Sequence, residues 1–297
     1  MTRNPLRILV TGAGGLLGSE LSGDLAERGH AVVAMLHRST AMHRNDGRPL
    51  SARPADGTLP LPGEVAALRG DVRQPGLGLD GASLAEIVRG LDLVIHGAAA
   101  TGFNLSERVY REVNIGGTAN VLALIGQRGQ APIPLLHLST AYVCGERSGP
   151  VAEGELDVGQ RFANGYESSK AEAERLVRAA QQQGGISVVA RPSIVVGRYR
   201  DGTIGQFTNI YALIPRFVPP ETFERARLTR AEQILDRQVT SLYASYLQRD
   251  PWFQDANLQA LSGRTCPRPD QAFLQRLIDY GIATGYLRGR TVQRTSG

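Results

Sequence analysis

Thr11-Gly12-Ala13-Gly14-Gly15-Leu16-Leu17-Gly18 decides the reading of this 297-residue chain. It follows a short apolar run, Arg7-Ile8-Leu9-Val10-Thr11, that reads as a buried strand. It opens a stretch in which Leu17, Leu21 and Leu25 recur at helical spacing and Gly29 falls where a helix would be capped. Between a strand and a helix, Gly12 permits a tight turn. Gly15 lets the backbone approach a pyrophosphate, and Gly18 allows close helix–strand packing. The helix N-terminus adds free N–H groups and the positive end of its dipole. The stretch therefore predicts dinucleotide binding through Gly12, Gly15, Leu16 and Gly18. A glycine turn without a ligand is the alternative.

Working outward, the same strand–helix alternation continues. Residues 31–36, 93–96, 133–138 and 186–190 read as strands, and 113–127 and 163–183 as helices. Such units imply a parallel, doubly wound α/β sheet with right-handed crossovers. Residues 43–63, rich in Pro, Gly, Arg and Asp, read as a long surface loop. From about residue 198 the character changes. Residues 221–248 read as a charged amphipathic helix or helix pair, 268–287 as a further helical stretch, and 288–297 as a frayed polar tail. This predicts a dinucleotide-binding domain over 1–200 and a mainly helical C-terminal region over 201–297.

Composition narrows the classes. Apolar residues make up 42%, enough for a sizeable core. The formal charge is +5 and almost all of the positive charge is arginine; Lys170 is the single lysine. No basic run interleaved with aromatics suggests nucleic acid. No apolar run reaches the ~20 residues of a membrane span, and residues 1–7 carry no signal-like stretch, so a cytoplasmic location is expected. Cys144 and Cys266 have neither metal spacing nor a disulfide pattern. No His, Cys or carboxylate cluster suggests a metal.

The end of the second strand selects the cofactor. An NAD enzyme commonly places an acid there for the ribose hydroxyls. This chain has His37-Arg38-Ser39-Thr40. Arg38 can offer a planar fork, and Ser39 a hydroxyl, to a 2′-phosphate. That favours NADP(H) over NAD(H), with a merely solvated Arg38 as the alternative. Asp71, in Gly70-Asp71-Val72, can accept from an adenine amino group, or instead cap a helix or form a turn. Ala98 and Ala99 are small enough for the backbone to lie flat against the cofactor, or simply pack tightly.

The chemistry is read from Tyr166-Glu167-Ser168-Ser169-Lys170. Positions i and i+4 share a helix face, so Tyr166 and Lys170 converge. A nearby ammonium is expected to favour the phenolate, letting Tyr166 exchange a proton with a carbonyl or alcohol at mild pH. Lys170 would also hold the nicotinamide ribose. Thr140, at the end of the fifth strand, would orient the substrate oxygen. Asn114 either backs Lys170 through a water or caps a helix. Pro192 and Ser193 follow the sixth strand and would lie beside the nicotinamide.

Together these residues resemble the extended short-chain dehydrogenase/reductase family, in wording closest to its thioester-reductase-like branch. The matching stretches include GDVRQPGLGL (70–79), VIHGAAATGFN (94–104), HLSTAYVCG (137–145) and FANGYESSKAEAERLV (162–177). The resemblance spans residues 6 to 200 and implies a Rossmann fold. It implies Thr140, Tyr166 and Lys170 as the catalytic set. It further implies hydride transfer from NADPH to an acyl thioester on a carrier protein or CoA, or to a derived aldehyde. A departure follows residue 197, where the usual further βα unit and substrate lobe are shortened. Two other readings stay open: a dehydrogenase, epimerase or dehydratase acting on another alcohol or ketone such as a nucleotide sugar, and a cofactor-binding protein with a redox-neutral or partner role. Enzymes of this fold often form homodimers through two long helices, here 113–127 and 163–183.

Overall fold

The computed structural model describes residues 4–39, 41–55, 58–126, 132–208, 210, 211, 214, 243, 245, 246 and 248–287. The helix expected over 221–248 lies almost wholly outside these residues, and the tail 288–297 entirely so. The chain divides into two compact units, Met1–Arg147 with Gly154–Ser193 and Ser148–Glu153 with Ile194–Gly297.

The first unit is built on a seven-stranded parallel sheet. Its strands are β1 (Arg7–Thr11), β2 (Ala31–Leu36), β3 (Arg53–Pro54), β4 (Val65–Arg69), β5 (Leu93–His96), β6 (Leu135–Leu138) and β8 (Ser187–Ala190). They are ordered β3-β4-β2-β1-β5-β6-β8. The chain thus builds outward from β1 through β2 and β4, then restarts at β5 on the opposite side of β1. That reversal opens a crevice at the C-terminal ends of β1 and β5, where ligands bind in doubly wound sheets. The fold is a Rossmann-like α/β sheet.

Near-continuous apolar strands arise because both faces of the sheet are covered. Ile8, Val10, Val32, Ala34 and Ile95 pack with Ala26 on the face of α1 (Leu16–Glu27). Leu9, Val33, Val94 and Leu135 pack on the other face with Val121, Leu124 and Val177. Those three side chains come from α4 (Gly117–Gly126) and α5 (Gly165–Gln182). The leucine spacing that predicts α1 is not its innermost stripe. Gly18, Ser19, Ser22, Gly23 and Ala26 are buried, and Leu21 and Leu25 pack at the margin. Small residues bring this helix close to the sheet. Gly29, at φ +85°, ends it by donating to the Ala26 carbonyl at 2.8 Å.

Two expectations are corrected. Residues 43–63 are not simply a surface loop: β3 pairs with β4, and Arg44 is buried on three carboxylates, Glu20, Asp24 and Glu27. The helix expected from 113 starts earlier. It begins as α3 (Glu107–Tyr110), passes through a π-helical turn over Arg111–Gly116, and continues as α4. Between β4 and β5 lie a short helical turn (Pro75–Gly78) and α2 (Gly81–Gly90). Leu77 adopts φ +61°, rare for a branched side chain, and its complete burial offsets that strain.

In the second unit, β7 (Gly149–Val151) pairs in parallel with β9 (Pro251–Phe253). The two helices α6 (Ala256–Ser262) and α7 (Gln271–Ala283) follow. Phe273, Leu277 and Ile278 are the buried face of α7, and the buried Tyr211 hydroxyl accepts from the Gly197 N–H at 2.8 Å. No helix among the described residues is long and apolar enough to cross a membrane.

Candidate active site

The glycine stretch forms the floor of the crevice. Gly12 sits at φ +72°, and a Cβ there would lie 2.7 Å from the Ala98 nitrogen. A Cβ on Gly18 would collide with the Gly12 carbonyl oxygen. The turn is therefore as tight as its sequence demands. Gly15 caps α1 without any side-chain hydrogen bond, so the N–H groups of the first turn, from Leu16 onward, are open to an anion. This cradle suits a pyrophosphate. The Thr11 side chain ties it to the neighbouring strand end, since its Oγ1 accepts from the N–H groups of Gly97 and Ala98, both at 3.2 Å. Small residues at 97–99 keep that backbone against the crevice.

The ends of β2 and β4 close one side. Ser39 lies against Gly14. Arg69 donates to the carbonyls of His37 (2.8 Å) and Ser39 (3.2 Å), fixing the turn that carries Arg38. Arg38 is exposed and has no ion-pair partner among the described residues. Asp71 is gripped by the Arg73 guanidinium at 2.7 Å, which holds its carboxyl below the usual range. The Val72 carbonyl accepts from Asn120 at 2.8 Å. Asp71 and Val72 thus form a braced turn, with Asp71 already engaged by a neighbouring cation.

The side chains expected to react lie just beyond the end of β6 and on α5. Asn164 caps α5, its Oδ1 accepting from the Glu167 N–H at 3.0 Å, while the buried Glu167 carboxylate accepts from Ala163 at 3.0 Å. This reciprocal cap starts the helix just before Tyr166. Thr140 is extended at the end of β6. Its Oγ1 accepts from the Tyr142 N–H at 3.3 Å and donates to the Pro192 carbonyl at 3.5 Å. Tyr166 lies close enough to Thr140 for the threonine side chain to favour its ionisation. Lys170 is buried one turn further on and donates to the Leu138 carbonyl at 2.7 Å. Thr140, Tyr166, Lys170 and Pro192 are therefore brought together at the strand ends. Ser193 follows Pro192 as the last residue of the first unit.

Two roles differ from expectation. Burial pushes the Tyr166 hydroxyl above its ordinary value, against the Thr140 side chain, which lowers it. Desolvation dominates, and the Lys170 ammonium is turned onto the Leu138 carbonyl. Burial also drives Lys170 down to about 8, with the Glu174 carboxylate raising it. Asn114 is not a helix cap. It lies inside the π-helical turn, accepts from the Ala100 N–H at 2.7 Å, and donates to the Ala100 carbonyl (3.1 Å) and Ser169 Oγ (2.8 Å). It stitches the loop after β5 to α5. That loop carries Phe103, whose ring lies 5.9 Å from that of Tyr166.

Several surrounding residues have no role assigned from the sequence, although most lie within the matching stretches. His96, 2.7 Å from Thr11 Oγ1 and 3.2 Å from Thr118 Oγ1, is fully buried and its ring is held down to about 3 by burial. His137 lies in register beside it with ring centroids 5.5 Å apart, and is likewise pushed down by burial. Glu174 and Ser139, both buried, form a cluster with the half-buried Arg191 behind Lys170. A helical stripe Tyr166–Lys170–Glu174 was the available signal for Glu174. No group of three or more potential metal ligands occurs among the described residues.

A phosphate-ready glycine turn at a sheet switch point, beside a Thr-Tyr-Lys centre, defines an NAD(P)-dependent oxidoreductase of the extended short-chain dehydrogenase/reductase type. Residues 10–234 match the NAD-binding family described as male sterility protein, and the chain belongs to that family. It is 34% identical over 196 residues to a 2-alkyl-3-oxoalkanoate reductase of Stenotrophomonas maltophilia, covering 65% of this chain and 52% of the relative. It is 26% identical over 266 residues to an isonitrile lipopeptide synthase of Streptomyces coeruleorubidus, covering 83% of this chain and 17% of the synthase. The chain thus spans about half the length of the first relative and a small part of the second. The terminal R domain of the myxalamid PKS-NRPS pathway shares its fold, with a TM-score of 0.74 at 19% identity over 97% of this chain and 93% of that domain.

Proposed function

We propose that this protein is an NADPH-dependent reductase of a thioester-bound acyl group, carried on a carrier protein or CoA, or of the derived aldehyde or ketone. The observation that carries the reading is the meeting of Thr140, Tyr166 and Lys170 at the strand ends beside the glycine turn. Gly12, Gly15, Leu16 and Gly18 would hold the pyrophosphate, Ala98 and Ala99 would bound the nicotinamide side with Pro192 and Ser193, and Asp71 with Val72 the adenine side. A nicotinamide held there would supply hydride to the carbonyl carbon. Thr140 orients the carbonyl oxygen. Tyr166, kept protonated by burial, gives its proton to that oxygen as charge develops on it. Lys170, charged below about pH 8, holds the ribose. Arg38 and Ser39 would receive the 2′-phosphate, on a turn braced by Arg69.

The resemblance to a 2-alkyl-3-oxoalkanoate reductase supports a second reading, reduction of a ketone in a 3-oxo acid by the same residues. A substrate panel separates the two. NADPH oxidation is followed by absorbance with acyl-CoA, acyl-pantetheine, aldehyde, ketone and 3-oxo acid substrates, beside Tyr166→Phe. Turnover with a thioester, lost by 10²-fold or more in Tyr166→Phe, is the expected result. Turnover confined to 3-oxo acids would favour the second reading. Binding of NADPH without oxidation by any substrate would remove both.

A further inference from the structure

We infer that Glu174 is the positioning residue of this active site, a buried carboxylate that clamps together the three elements carrying Thr140, Tyr166 with Lys170, and Pro192, and keeps Lys170 an ammonium. The inference rests on the reading of Tyr166 and Lys170 as the reaction centre. Glu174 lies two turns beyond Tyr166 and one beyond Lys170 on the same face of α5. It is completely buried. Its oxygens accept from Ser139 Oγ at 2.8 Å, from Arg191 Nε at 3.0 Å and Nη2 at 2.6 Å, and from Arg178 Nη2 at 2.9 Å.

Two of these partners stand next to site residues. Ser139 directly precedes Thr140 at the end of β6. Arg191 directly precedes Pro192, whose carbonyl accepts from the Thr140 side chain and from the Ala141 N–H at 2.9 Å. One carboxylate therefore sets the relative position of two strand ends and the catalytic helix. A buried ion pair is weak evidence for stability, because desolvation opposes its Coulomb gain. A geometric and electrostatic role at a centre needing fixed placement accounts for it better.

The electrostatic half follows from what surrounds Lys170. Burial disfavours its charge, and Glu174 is the anion that opposes burial. Among the described residues, His96 on β5 and His137 on β6 also face it, and Tyr166 lies one turn before it on the same helix, all held neutral by burial. Arg178 and Arg191 face Glu174 and temper its charge.

The chain offers a direct test, because Lys170 is its single lysine. In the full-length protein labelled with 13Cε-lysine, one side-chain resonance reports its titration. The expected midpoint is about 8 in the wild type, lower by about one pH unit or more in E174Q, and near the wild-type value in E174D. The alkaline limb of turnover should move down in step in E174Q. An unchanged midpoint in folded E174Q overturns the inference. Should E174Q fail to fold, R178Q decides, since its side chain is 34% exposed. Loss of that counter-cation should raise the midpoint, and an unmoved midpoint there overturns the inference. The resonance needs no substrate, so its outcome stands apart from the turnover panel, which tests the catalytic reading itself.

Discussion

At the scale of single residues, Arg38 and Tyr166 are governed by opposite relations to solvent. Arg38 is exposed and unpaired among the described residues, so its charge is available to a ligand. The neighbouring acid, Asp71, is engaged by Arg73, which offsets its repulsion of a phosphate. Charge-assisted hydrogen bonds contribute about 1.5–3 kcal/mol each. Arg38→Glu should therefore weaken NADPH binding by roughly 10- to 100-fold or more while changing NADH far less. Titrations with both cofactors check this, and equal losses would mean that Arg38 does not meet the 2′-phosphate. Tyr166 is the reverse case. Its burial keeps the proton that a reductase must give away. Phe103 packs beside it on the loop after β5, with ring centroids 5.9 Å apart. Phe103→Ala should raise KM for the acyl substrate several-fold and leave NADPH affinity near wild type. An unchanged KM across chain lengths would place Phe103 outside the substrate path.

At the scale of elements, the turn between β1 and α1 is the one whose form follows most directly from its sequence. A methyl group on Gly18 would meet the Gly12 carbonyl, a backbone atom that cannot swing aside. Gly18→Ala should destabilise the protein by about 1–3 kcal/mol and lower cofactor affinity. Gly14→Ala should be milder, because there the added atom meets the Ser39 side chain at 3.0 Å. Thermal unfolding with and without NADPH distinguishes them, and an equally mild Gly18→Ala would mean that the turn yields. What was legible in the sequence was local. The strand–turn–helix unit, the strands apolar on both faces and the i, i+4 pairing of Tyr166 with Lys170 each depend on residues close in the chain. What was not legible depended on distance or on a change of period. The π-helical turn puts Asn114 on Ala100 and Ser169, a placement that regular helical spacing cannot show. The Glu174–Arg191 pair joins α5 to the end of β8. β7 meets β9 across about a hundred residues of chain. The acidity of Tyr166 went against expectation for a similar reason: i, i+4 spacing placed the ammonium nearby, while only the packed structure showed the burial of Tyr166.

For the molecule as a whole, the buried polar groups beneath the site make stability depend on pH from two sides. His96 titrates at about 6.5 when unfolded and at about 3 in the folded protein. Between these values the unfolded chain binds the extra proton, so stability falls as pH drops from 6.5 towards 3. Glu174, held below 4.5, adds to the same loss at the acidic end. Lys170 acts at the other end. Its folded value of about 8 lies below the ordinary 10.5. Below pH 8 both states carry its proton, and burying the charge costs stability in full. From 8 to 10.5 the folded state has released the proton and the unfolded state has not, so the cost is progressively relieved. A tenfold change in an ionisation constant between the two states corresponds to about 1.4 kcal/mol. Lys170→Met should therefore raise stability at pH 7 by about 1–3 kcal/mol while abolishing turnover, the usual exchange between a strained site and a stable one. The difference from the wild type should narrow as pH rises from 7.5 to 9.5. Urea unfolding at several pH values measures both effects. A variant less stable than the wild type at pH 7, or a difference that stays constant with pH, would show that Lys170 carries no net burial penalty in the folded protein.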